Sequence, residues 1–277
     1  MKKFLILFAI VLLASCADQE FMEEIDGEKF VTESANIVQA LVEKAKWGDG
    51  QAYLKLADCY RDGNGVKKDL IGLLSMVSIA EQFGALNRME DYLDSMADDS
   101  EFKLIIDAVN LYEHKKEKAN AKIERLSALE SPDSYSVMGL IAVERGDTLE
   151  GKQLLEMAAS QGSTFAELLL CFPDWRNTAN PDVEKLVIIV DRVPFACKLL
   201  GDMYTGREDE SKKDEVLAAY YYMKAGEKAH IGKRGAIWLL NYHRNGGIPQ
   251  LSEQELQRLQ ALAGITIVEE ADNDDGH

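Results

Sequence analysis

The chain has 277 residues, a formal net charge of −17, and 47% hydrophobic residues. Such an acidic surface repels nucleic acid and gains nothing from anionic lipids, so we expect no nucleic-acid partner. The hydrophobic content suffices for a continuous core. Few segments alternate as strands do, and apolar residues recur at helical spacing, which predicts an all-α fold.

Residues 1–15 have the features of an export signal. Lys2 and Lys3 precede an apolar run that is too short to span a bilayer comfortably. Leu13-Ala14-Ser15-Cys16 resembles the lipobox of bacterial lipoproteins, whose cysteine is diacylated, for example with palmitate, and becomes the new N-terminus. We predict a lipoprotein signal peptide at 1–15 and lipidation of Cys16. The alternative is an ordinary secretory signal with an incidental cysteine.

Removal of the signal takes away two lysines and lowers the net charge from −17 to −19. We predict a flexible acidic tether at 16–29 and an acidic tail at 265–277. Two or more acyl chains give stable anchoring, so we expect a protein lipid-anchored in the outer membrane. Acidic residues close behind the lipidated cysteine accompany export to the cell surface in some lipoproteins. The chain therefore faces either the surface or the periplasm.

A helical repeat domain is predicted over 30–264. A leading helix at 30–47 precedes the clearest unit, 52–84, which we interpret as a helix, a glycine-rich loop and a second helix. The first helix has small and apolar residues on one stripe, namely Ala52, Leu56, Ala57 and Tyr60. Gly63 and Gly65 tolerate the positive φ that ends it, and Asp69 is placed to cap the second helix.

This order of residues resembles the Sel1-like repeat, a relative of the tetratricopeptide repeat. The family pattern is an Ala, a Leu-Gly pair, a Tyr, a Gly-x-Gly-Val loop, an Asp, and an Ala-rich second helix that ends in Gly. The matching residues here are Ala52, Leu56-Ala57, Tyr60, Gly63-Asn64-Gly65-Val66, Asp69, Ala80 and Gly84. Ala57 is the one departure in the first helix, where glycine is usual.

Further copies of the pattern are predicted at 133–162, 196–229 and 235–247. Between 88 and 129 the spacing indicates helices without the glycine loop, which we interpret as a degenerate tetratricopeptide-like unit. The segment 172–181 contains two prolines and is a connector, a hinge or a lid. An amphipathic closing helix follows Ser252 and ends at Gly264. The resemblance implies a right-handed superhelical solenoid of antiparallel helix pairs.

The resemblance also implies that first helices build a concave binding surface. As one group, we predict that polar residues on those helices contact a partner: Lys55, Asp58, Arg61, Lys198, Asp202, Asn241 and Arg244. An aromatic-rich zone adds Tyr221 and Trp238 to this group. Consecutive residues Tyr220 to Tyr222 cannot all face one way on a helix, so at least one should be exposed. The alternative is that these aromatics pack neighbouring hairpins together.

No arrangement typical of catalysis or metal binding stands out, so we predict no catalytic residue, metal or cofactor. The four histidines are scattered and form no i,i+4 pair. His243 is either structural or a ligand. Cys59 and Cys197 fit buried helix positions, and a disulfide between Cys171 and Cys197 is left open.

The sequence thus favours a membrane-anchored helical-repeat scaffold that mediates protein–protein interaction in the bacterial cell envelope. The partner is an envelope protein or peptide, and the acidic chain favours one with a basic patch. One alternative is a glycan-binding or uptake accessory lipoprotein, which an exposed aromatic platform near Tyr221 and Trp238 would favour. Another is an envelope enzyme whose site is assembled from scattered residues.

Overall fold

The computed structural model describes residues 28–97, 100–114, 116–173, 181–247 and 251–265. The predicted signal peptide, Cys16, nearly all of the tether, and the tail from residue 266 onward lie outside the described residues. Within the described ranges, no helix combines the length and the apolar character that a membrane crossing requires.

The described residues form fourteen α-helices and one short 3-10 helix, Glu210–Lys212, and they include no strand. In chain order the helices are α1 Glu28–Ala45, α2 Gly50–Asp62, α3 Leu70–Gln82, α4 Met89–Asp94, α5 Glu101–His114, α6 Lys116–Ser127, α7 Pro132–Arg145, α8 Thr148–Ser160, α9 Thr164–Leu169, α10 Val183–Ile189, α11 Phe195–Tyr204, α12 Glu215–Glu227, α13 Lys233–Arg244 and α14 Glu253–Ala263.

Neighbouring helices pack as hairpins. The pairs are α2 with α3, α5 with α6, α7 with α8, α11 with α12, and α13 with α14. Helix α1 packs on α2, and the short helices α4, α9 and α10 connect successive hairpins. The prediction of an all-α solenoid of antiparallel helix pairs is confirmed.

The loop of the first hairpin has the geometry that its sequence predicts. Gly63 and Gly65 have φ of +77° and +76°, a region in which other residues are strained. The side chain of Asp69 accepts a hydrogen bond from the backbone N–H of Ile71, which caps α3. At the other end of the domain, Gly264 ends α14 with φ +73°.

Glycines allow the two helices of a hairpin to approach closely. A Cβ on Gly201 of α11 would lie 2.6 Å from the Tyr222 ring of α12. The first hairpin reverses this arrangement, because a Cβ on Gly72 of α3 would lie 2.6 Å from the Tyr60 ring of α2. The glycine that is missing at Ala57 is therefore compensated by one on the second helix.

Helix α3 is buried along eleven consecutive residues, from Leu70 to Ala80. A helix that is apolar on all sides must be covered on all sides. Besides α2, it packs against α9, which lies about ninety residues later in the chain. Lys67 Nζ donates to the carbonyl oxygen of Gly162 at 2.8 Å beside this contact.

The two ends of the described domain also touch. Arg258 Nη2 of α14 lies 3.1 Å from Glu43 Oε2 of α1, and the backbone N–H of Lys233 donates to Gln82 Oε1 at 3.3 Å. The ring of Phe83 packs against the main core and also against the smaller core of α12, α13 and α14. The solenoid is thus wound tightly enough to bring its first hairpin against its last.

Candidate functional site

Two of the predicted partner-binding residues on α2, Asp58 and Arg61, are held together. Arg61 Nη1 lies 2.7 Å from Asp58 Oδ1, and the hydroxyl of Tyr92 donates to the same oxygen at 2.7 Å. Arg61 also forms two hydrogen bonds with Asp62, which raise the pKa of the guanidinium. These charges fix α2 against α4. Lys55, on the same helix, is exposed.

The predicted residues Lys198 and Asp202 on α11 form a second pair. Lys198 Nζ donates to Asp202 Oδ2 at 2.6 Å, and the hydroxyl of Tyr222 donates to Asp202 Oδ1 at 2.6 Å. Burial, followed by the neighbouring Asp202 charge, raises the pKa of Tyr222 well above its ordinary value. Asp202 therefore ties α11 to α12 and positions the Tyr222 ring.

The tyrosine run shows which ring faces solvent. Tyr221 is 8% exposed, and its ring stacks on Tyr204 with centroids 5.9 Å apart. Tyr220 is 51% exposed. The predicted exposed tyrosine therefore exists, but it is Tyr220, and the side chain of Tyr221 contributes to packing between α11 and α12.

An open pocket of about 390 Å³ lies at the C-terminal end of α13. Trp238, Asn241 and Tyr242 line it, together with Asn245 and the two glycines that follow, and Glu215 lines it from the start of α12. Both Trp238 and Asn241 belong to the predicted partner-binding group. Arg244 is exposed on the same helix but does not line the pocket.

Besides the two glycines, three lining residues of this pocket are missing from the predicted group, namely Glu215, Tyr242 and Asn245. A signal for two of them is present in the sequence. Positions 238, 241, 242 and 245 follow the spacing i, i+3, i+4, i+7, which places them on one helix face. Glu215 lies on another helix, and only the packing of α12 against α13 brings it there.

A second pocket of about 480 Å³ lies between the loop after α2 and the start of α5. Arg61 and Lys68 line one side, and Ser100 and Glu101 line the other. Arg61 therefore lies at a different pocket from Trp238 and Asn241 of α13. The structure therefore distributes the predicted group over at least two separate places.

Two carboxyl groups are buried where α3, α7 and α9 meet. Thr164 donates to Asp69 Oδ1 at 2.6 Å, and Ser163 donates to Asp133 Oδ1 at 2.6 Å. Burial raises the pKa of both groups, for Asp133 to about 7, although the serine and threonine hydrogen bonds act in the opposite direction. Within the part of the chain that the structure describes, Asp69 Oδ2 has no hydrogen-bond partner.

His230 and the cysteines that the structure describes are buried inside the fold. His230 is 1% exposed, and burial lowers the pKa of its imidazole well below the ordinary value. Cys59, Cys171 and Cys197 are buried thiols, so the Cys171–Cys197 disulfide left open above is not formed. Burial raises the pKa of Cys171 to about 12, which makes it a poor nucleophile.

An enzyme site would place groups of shifted pKa in a pocket. Here Asp69, Asp133 and His230 line neither of the two pockets. Among the described residues, no group of three or more histidine, cysteine, aspartate and glutamate side chains could hold a metal ion.

The helix pairs, the glycine contacts and the two pockets define an α-helical repeat protein. The model of the Sel1 repeat family matches residues 50–71, 136–163 and 194–230. The chain therefore contains Sel1 repeats, as the resemblance of its sequence predicts. The predicted copy at 235–247 stays a prediction. Proteins with these repeats are generally non-enzymatic scaffolds that mediate protein–protein interaction.

Two solved structures are similar at 18% sequence identity. One is a protective antigen of uropathogenic Escherichia coli with an SLR fold, at a TM-score of 0.39, where the match covers 82% of this chain and 48% of that one. The chain thus spans about half of that protein. The other is a Sel1 repeat protein from Oxalobacter formigenes, at a TM-score of 0.38, with 83% and 98% covered. No curated protein sequence matches significantly.

Proposed function

We propose that the protein is a membrane-anchored scaffold that binds another protein or a peptide in the bacterial cell envelope and has no catalytic activity of its own. The observation that carries this proposal is the presence of three Sel1 repeats, since these repeats generally mediate protein–protein interaction. The absence of the buried groups Asp69, Asp133 and His230 from the linings of both pockets supports the non-enzymatic part.

The partner-facing residues in this proposal are those that the fold leaves exposed and does not use for its own packing. Lys55 on α2 and Arg244 on α13 are exposed, and Asn241 lines the pocket on α13. By contrast, Lys198 and Asp202 form a charge pair with each other at 2.6 Å. We therefore place the contact on α2 and α13, and we assign a positioning role to the pair on α11.

The envelope location rests on the first residues of the sequence. A short apolar run ends in Leu13-Ala14-Ser15-Cys16, the pattern of a lipidation signal. In this proposal Cys16 carries the acyl chains and the protein sits in the outer membrane, facing the periplasm or the cell surface. Because the chain is strongly acidic, acyl chains rather than charge hold it to the membrane.

The test is site-specific photo-crosslinking in intact cells. A photoreactive amino acid replaces Lys55 or Arg244 in the full-length chain, and Lys152, a lysine 65% exposed on α8, serves as the matched control position. We expect one defined envelope protein to crosslink from the first two positions and not from Lys152. Crosslinks that are equal at all three positions, or confined to Lys152, would contradict the proposed contact.

Cys16→Ala tests the anchor separately. We expect the variant to lose incorporation of labelled palmitate and to leave the membrane fraction, and its crosslinks to the envelope partner to disappear. Retention of palmitate labelling in the variant would refute Cys16 as the lipidation site, whatever the crosslinks show.

A further inference from the structure

One face of α13, extended by Asn245 directly after its last residue, carries two aromatic and two amide side chains in alternation. Trp238, Asn241, Tyr242 and Asn245 follow the spacing i, i+3, i+4, i+7 and line the pocket of about 390 Å³ with Glu215. We propose that this pocket binds a neutral saccharide, one or two pyranose rings long. The volume lies within the roughly 300–1,000 Å³ that is usual for small-molecule sites. This inference goes beyond the proposed protein-binding function.

The aromatic part of the pocket is held rigidly from within the fold. The Trp238 ring stacks on Tyr242 with centroids 5.2 Å apart and an angle of 12°, and it packs on Tyr222 at 5.5 Å. Tyr222 is itself fixed by its hydrogen bond to Asp202. An indole that lines the pocket and is fixed in this way offers a flat apolar surface, and the C–H face of a pyranose ring is its natural complement.

The loop after α13 completes the wall because it has no side chains at two positions. A Cβ on Gly247 would lie 2.5 Å from the Tyr242 ring, so the backbone of this glycine passes directly against that ring. Gly246 has φ +82°, which lets the chain turn sharply there. A larger residue at Gly247 would push the loop off the aromatic pair and open the pocket, whereas one at Gly246 would strain the turn.

The polar part of the pocket suits hydroxyl groups. Asn241 and Asn245 are exposed, and each amide has donors and an acceptor. A sugar hydroxyl also donates and accepts, so it can pair with either end of an amide and with the Glu215 carboxylate, which accepts. A neutral polyhydroxylated ligand can therefore satisfy this lining without leaving a polar group unpaired.

The charge at the pocket favours a neutral ligand over a basic peptide. Among the described residues that line the pocket, Glu215 is the only acidic one, and Lys213 Nζ already lies 3.3 Å from Glu215 Oε1. A cationic side chain entering the pocket would have to compete with that lysine. The acidic character of the whole chain is thus locally balanced at this site.

The experiment titrates the full-length protein, in a detergent without a sugar headgroup, with cellotetraose and with chitotetraose. Binding is followed by calorimetry and by tryptophan fluorescence. We expect at least one tetrasaccharide to bind and to change the fluorescence of Trp238. Absence of heat and of a fluorescence change up to roughly 10 mM of both sugars would overturn the proposal.

Two double variants locate the site. Asn241→Ala with Asn245→Ala should lower the affinity about tenfold or more, because the sugar loses its amide partners. Gln254→Ala with Gln257→Ala removes two exposed amides from α14 and should leave the affinity unchanged. Trp238→Phe keeps a ring against Tyr222 and should weaken binding less than the double amide variant does. Circular dichroism confirms that each variant folds. Equal affinity in all variants, or displacement of the sugar by a tetra-arginine peptide, would contradict a saccharide site.

These outcomes are independent of the scaffold proposal. The crosslinking experiment reports on Lys55 and Arg244, neither of which lines this pocket. A failed sugar titration with successful crosslinking would overturn only the saccharide site, and the reverse result would overturn only the scaffold contact.

Discussion

The hydroxyl of Thr164 donates a 2.6 Å hydrogen bond to Asp69 Oδ1 across 95 positions of sequence. Asp69 caps α3, the most deeply buried helix, and Thr164 begins α9. This contact therefore joins the first hairpin to a helix that follows the third. It is also one of the few partners of a buried carboxyl group, and removal of a partner from a buried polar atom is costly.

Thr164→Val should lower the free energy of unfolding by about 1–3 kcal/mol, because the buried Asp69 carboxyl loses a donor. The loss should grow as the pH rises, since the lost hydrogen bond stabilises the charged form of Asp69. Urea unfolding at pH 5 and pH 8 measures both effects. Thr148→Val is the matched control, because Thr148 also begins a helix but is exposed.

Asp133→Asn should flatten the dependence of stability on pH. The pKa of Asp133 is about 7 in the folded chain and roughly 3.9 when unfolded, so between these values the folded state binds more protons. The free energy of unfolding therefore falls as the pH rises from about 4 to about 7. Asparagine keeps the acceptor for Ser163 and removes the titration, so the variant should be the more stable protein at pH 8.

The control for Asp133→Asn is Asp147→Asn. It removes the same charge from an exposed position, where the side chain forms no capping hydrogen bond. Chemical unfolding of the three proteins between pH 4.5 and pH 8 separates the local effect from the change in net charge. Parallel curves for the wild type and Asp133→Asn would contradict the assigned pKa.

His230→Gln should abolish the loss of stability that the wild type undergoes when the pH becomes acidic. The pKa of buried His230 is well below its ordinary value, so below about pH 6.5 the unfolded chain binds a proton that the folded chain does not. The free energy of unfolding of the wild type should therefore fall as the pH drops from about 6.5. The variant should be less stable at pH 7.5 but should lack this slope; His243→Gln, which changes a half-buried histidine, serves for comparison.

Gly201→Ala should destabilise the chain by about 1–3 kcal/mol, because its Cβ would lie 2.6 Å from a Tyr222 ring that Asp202 and Trp238 hold in place. Gly226→Ala, on α12, meets only Ile231 at 3.4 Å and should stabilise by about 0.5–1 kcal/mol through the higher helix propensity of alanine. Thermal unfolding compares the two. A stabilised Gly201→Ala variant would show that the hairpin can separate at no cost.

Most helices could be predicted because their signals are local. Apolar spacing, the cap at Asp69 and the glycines at 63, 65 and 264 act within one or two turns, and the structure shows each of them. Gly72 could not be assigned a role from sequence alone, because its partner ring on Tyr60 belongs to another helix. The same limit applies to Tyr221, whose burial depends on the position of Tyr204.

The contacts between distant helices were the hardest part to predict. The run Leu70 to Ala80 is apolar on every side, which indicates that α3 is covered all round, but it does not say by what. Only the folded chain shows that α9 is one cover. For the pocket, the spacing on α13 contained the signal for Tyr242 and Asn245, whereas the position of Glu215 depends on helix packing.

The ion pair between Glu43 and Arg258 bears on how the chain can fold. These residues are 215 positions apart, so the partner of α1 leaves the ribosome long after α1 itself. A linear array of repeats can nucleate anywhere and add units one by one, whereas this chain must close a long loop before its ends dock. Repeats could not be deleted from its C-terminus without exposing Phe83 and the surface of the first hairpin. The protein should therefore reach its native state late, as one cooperative unit, despite being built from repeated parts.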